Sequence, residues 1–115
     1  MLTNDIIIEK LEQLPNDIYL QEIKVVDLKE KVDMAELALS HRQAEIMLES
    51  DRPNATEKRQ ESISKTRELS EAVILLKKEE KLAEAKLTAY SNGFTALRKV
   101  VSLETANMQA KLTGN

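Results

Sequence analysis

Between Asp17 and Ser50 the chain carries two apolar seams on different faces of one predicted helix, whereas a hairpin arm needs only one. The first reads Ile18, Val25, Val32, Leu39 and Ile46, one residue per heptad, with Leu28 and Ala35 at the interleaved positions. The second, Ile23, Val26, Met34, Leu37, Ala44 and Leu48, runs along a face well away from it. One helical neighbour covers one such stripe, so the other requires a third helix or a second copy of the chain. The pattern points to association rather than catalysis.

Composition agrees with a helical interaction protein. With 115 residues and 42% hydrophobic content, the chain is long enough for one domain whose helices share a core. Aromatics at 3% and only two glycines leave little material for strands, hairpin turns or phosphate-binding loops. Lys and Arg (17) nearly balance Asp and Glu (20), so no global field favours polyanions. Cysteine is absent, which removes disulfides, thiolate metal sites and a thiol nucleophile. The start, Met1 to Asp5, lacks the basic and apolar pattern of a secretory signal, and the apolar runs Ile6 to Ile8 and Val73 to Leu76 are far too short for a bilayer. A soluble cytoplasmic protein with no membrane partner is expected.

The spacing predicts an all-α fold: a long antiparallel, coiled-coil-like helical hairpin with a short N-terminal helix, assembled into a bundle. Asn4 or Thr3 caps a first helix over about 4–14, which Pro15 interrupts because proline supplies no amide donor. Asn16-Asp17 then caps helix two over about 17–50. Pro53 stops it, and Asn54 with Glu57 three residues later reads as a capping box opening helix three over about 54–110. Leu69, Val73, Leu76, Ala83, Leu87, Tyr90, Phe94, Leu97 and Val101 recur at steps of four and three, interrupted by Glu80. That register continues through Ser91-Asn92-Gly93, so a single long helix is expected there. Folding about the turn pairs residues whose numbers total roughly 105. Helix two then runs out near Tyr90, and the N-terminal segment from Ile6 to Leu14 is expected to fold onto the overhanging end of helix three.

No constellation of residues supports catalysis, a cofactor or a metal. His41, the only histidine, lies on the second seam with Glu45 one turn later, short of the ligands that zinc requires. Arg42 occupies a first-seam position, where it either bridges to the other arm or snorkels outward. Glu30 and Glu80 interrupt the seams; such polar groups set register or oligomer number, or lie at a bundle edge. Asp27 with Lys31 and Glu61 with Lys65 are i,i+4 pairs of the favourable orientation. Tyr90 and Phe94 could stack on single-stranded bases, but Leu87 and Leu97 flank them in register and assign them to a packed seam. The basic stretch at Lys77, Lys78, Lys81 and Lys86 is interleaved with Glu79, Glu80 and Glu84, which neutralise most of its field.

The order Leu14-Pro15 with Ile18-Tyr19, then Pro53-Asn54-Ala55-Thr56-Glu57-Lys58-Arg59, then Phe94-Thr95-Ala96-Leu97-Arg98 resembles small helical-hairpin proteins of bacteriophages and prophages. In those, a turn with Asn and a following Glu-x-Arg leads into a helix ending in Phe-x-Ala-Leu-Arg. The resemblance implies the same hairpin, an accessory role among early replication or recombination genes and, for a phage product, residence in the host cytoplasm. It carries over no functional residue. The expected function is non-enzymatic binding of another macromolecule, with the chain as a homo-oligomer or on a protein partner. The expected interface is Ile23, Val26, Met34, Leu37, His41, Leu48, Tyr90, Phe94, Leu97 and Val101. Two other readings are an accessory factor for single-stranded nucleic acid and an inhibitor of a host enzyme or defence complex.

Overall fold

The computed structural model describes residues 3–113 as a long helical hairpin, with no strand among them. Helix α1 spans Asn4–Glu49, α2 spans Ala55–Lys65 and α3 spans Arg67–Leu112. The described residues pack as two compact halves. One joins residues 3–24 to 83–113, and the other is the tip of the hairpin, Val25–Leu82.

A separate N-terminal helix does not form. Thr3 caps α1, its hydroxyl accepting from the Ile6 amide at 3.3 Å and its carbonyl from the Ile7 amide at 3.1 Å, and the helix then runs straight through Pro15. A proline inside a helix costs about 3 kcal/mol through the missing donor and the ring's clash with the preceding turn. Packing offsets that cost. Ile7, Leu11, Leu14 and Ile18 keep one heptad register on both sides of the exposed Pro15. Ile7 is 5% exposed, and Leu11, Leu14 and Ile18 are half-buried, in the half that also holds Phe94, Leu97 and Val101. The overhang is thus met by the expected segment, as a continuation of α1 rather than a helix folded back. Beyond Val101 every described residue is exposed.

In the tip, Val25, Leu28, Val32 and Ile46 of α1 are buried, as is Val73 of α3. The turn begins as expected. Asn54 is the cap of α2, its side-chain oxygen accepting from the Glu57 amide at 2.9 Å. Helix three, however, is two helices broken at Thr66, whose φ of −108° and ψ of 18° leave the helical region. The cause is local. The Thr66 hydroxyl donates to the Ser62 carbonyl at 2.7 Å, sharing that acceptor with its own amide at 3.1 Å, and such back-bonding bends helices. Gly93, by contrast, leaves α3 unbroken, as the continuing register predicts.

The core positions are not all apolar. In one half Gln21 is buried and donates from Nε2 to the Ala83 carbonyl at 2.9 Å, which the small Ala83 side chain leaves within reach. In the tip the Gln43 amide donates to the Thr66 hydroxyl at 3.1 Å, above the buried Ser62. Both contacts join residues close to the expected pairing. Among the described residues no buried side-chain nitrogen or oxygen lacks a partner.

Candidate interaction surface

The two seams of α1 separate by exposure. At 100° per residue, the line through Glu30, Met34, Leu37, His41, Ala44 and Leu48 runs on the opposite side of α1 from Val25, Leu28 and Val32. Val25 is 6% exposed and its neighbour Val26 65%; Met34 is 67%, Leu37 57% and Leu48 87% exposed. Ile23, earlier on α1, is also exposed. Apolar side chains in a row on a helix face, away from the chain's own core, form the kind of patch that marks an interaction surface. His41 and Glu30 lie exposed within this row.

The other expected interface residues belong elsewhere. Tyr90, Phe94, Leu97 and Val101 are half-buried in the half of the hairpin that contains the start of α1, so the chain's own N-terminal segment takes the place expected of a partner. The Lys86 ammonium lies 5.6 Å from the Tyr90 ring centre and the Arg98 guanidinium 5.7 Å from that of Phe94. Those cations lie over the rings on which a base would have to stack.

Charged residues mostly do structural work. The expected pairs form, Lys31 with Asp27 at 3.2 Å and Lys65 with Glu61 at 2.9 Å. Arg42 neither crosses to the other arm nor stands alone: it pairs with Glu45 on its own helix at 3.0 Å, while Gln43 takes the inward position. Lys77, from the basic stretch, reaches Glu36 across the tip at 2.7 Å. That carboxylate holds the ammonium above its ordinary value, first by the hydrogen bond and then by charge.

Two polar contacts in the half around the turn have little signal in the sequence. One is the part-buried contact of Gln43 with Thr66, whose only signal is a polar residue where the repeat calls for an apolar one. The other lies at the turn, where Glu61 accepts from the Ser50 hydroxyl, binds Lys65 and has Arg52 at 4.0 Å. The Ser50 hydrogen bond, followed by that from Lys65, holds the Glu61 carboxyl below its ordinary range. An open cleft beside it is lined by Arg42, Glu49, Asp51, Arg52 and Lys65, charges of both signs that favour no single ligand.

No group of three or more metal-binding side chains occurs among the described residues, and none of their helices is long and apolar enough to cross a membrane. In comparisons with known proteins, no family model, curated protein or solved structure matches this chain.

Proposed function

We propose that this chain is a non-enzymatic helical assembly protein that associates with a second copy of itself through the outer face of α1. The supporting observation is the contrast between Val25 and Val26, adjacent residues of which one is buried in the hairpin and the other faces away from it with Met34, Leu37 and Leu48. Burying such a side chain is worth at most about 1.5 to 3 kcal/mol. Four from each copy bring a gain of the same order as the roughly 4 to 15 kcal/mol that association costs in lost freedom. With the resemblance to phage and prophage hairpin proteins, the assembly serves as an accessory factor that acts by binding.

Sedimentation equilibrium tests the reading. The wild-type chain is expected to be a dimer or larger at tens of micromolar, and Leu37→Glu, an exposed position outside the hairpin core, is expected to give a folded monomer. A monomeric wild-type chain overturns self-association.

A further inference from the structure

We propose, building on the self-association above, that two copies pair their α1 helices antiparallel. The two-fold axis passes between Met34 and Leu37, and Glu30 of each copy faces His41 of the other. The outer face has its own register: Asp27, Glu30, Met34, Leu37, His41 and Ala44 follow at alternating steps of three and four, which is a coiled-coil seam in its own right. Reversing the helix maps this seam onto itself. Met34 then meets Leu37 of the second copy, Glu30 meets His41, and Asp27 meets Ala44.

Self-complementarity of this kind is what an isologous interface requires. The two polar residues that interrupt the row become each other's partners, a carboxylate opposite an imidazole that can donate an N–H to it. The large apolar pair at the axis is used twice. Asp27 keeps its own ion pair with Lys31, at 3.2 Å, and the small Ala44 opposite leaves room for it. On the flank, Val26 meets Met47. A parallel pairing instead sets every residue against itself, so that Glu30 faces Glu30 and Asp27 faces Asp27, like charges inside the seam.

The chain has no cysteine, so Asp27→Cys and Ala44→Cys each introduce a single thiol at an exposed site. Mixed under oxidising conditions, the two variants are expected to cross-link to each other, and neither to itself. Along the helix the two positions lie about 26 Å apart at 1.5 Å per residue, far beyond the roughly 7 Å that a disulfide spans. As a second readout, His41→Glu is expected to raise the dimer Kd at least about tenfold, because it sets two carboxylates against each other in place of that hydrogen bond. Adding Glu30→His to it should restore Kd to within about threefold of wild type. Self-cross-linking of either variant, or an intact dimer that neither cross-links nor responds to the charge swap, overturns the antiparallel register while leaving self-association standing. A monomeric wild-type chain overturns both.

Discussion

Pro15 and Pro53 are the same residue with opposite outcomes. Pro53 lies in the turn, after α1 has ended at Glu49, where no apolar repeat continues, Asn54 is ready to cap a new helix and the chain reverses. At Pro15 the helix goes on, because Ile7, Leu11 and Leu14 lie before it in the same register as Ile18 and Val25 after it. A proline is therefore at home in a turn where local geometry is all that acts. It is overridden when several side chains on each side share a burial face.

The largest way to break this contrast is to remove the packing that holds the helix through Pro15. Ile7→Ala should cost about 2 to 5 kcal/mol, as for other buried large-to-small changes. Its signature in amide exchange is loss of protection confined to the first turns of α1. Unchanged protection would mean that something other than packing carries the helix through the proline.

Next in size is a sign test. Pro15→Ala restores a donor to a helix already formed and should raise stability by up to about 3 kcal/mol. Pro53→Ala should lower it by about 0.4 to 1 kcal/mol, since it only frees the unfolded chain. Urea midpoints of the two variants should move in opposite directions. Asn54→Ala falls between these, with an expected loss of about 1 kcal/mol from the uncapped Glu57 amide, also read in urea.

The smallest effect concerns acid. Glu61 has its folded-state pKa held below the ordinary 4.5 by Ser50 and Lys65, so its contribution is present above that value and is lost as pH falls through the lower folded value. Glu61→Gln should flatten the acid side of the stability profile and leave the rest of its shape unchanged. Glu61 is half-buried, but its partners Lys65 and Arg52 are exposed, so the change should be modest.

Much of this architecture was legible in the residues. The heptads of α1 and α3, the cap at Asn54 and the outward seam follow from spacing, because burial on a helix repeats along the chain and spacing records it. Pro15 marks a helix break by local geometry alone, and a register extending over several turns overrides it. The break at Thr66 and the polar contacts of Gln21 and Gln43 were not legible. A glutamine in a heptad position reads as a defect until the carbonyl or hydroxyl it meets on the other arm is known. For the surface, spacing separated the two seams of α1, and it also grouped with them four residues of α3 that the chain covers itself.

The bond from Gln21 to the Ala83 carbonyl has a mechanical consequence. Two long rods joined by repeating greasy contacts could slide past one another by one repeat and lose little, like a zipper engaged one tooth off. Such a shift would carry the Gln21 amide away from the small residue that exposes a carbonyl to it and set it against Leu76 or Tyr90, one heptad away, whose larger side chains crowd the approach to the backbone. The glutamine thus works as a locating pin, making the off-by-one alignments costly and leaving a single length at which the arms mesh.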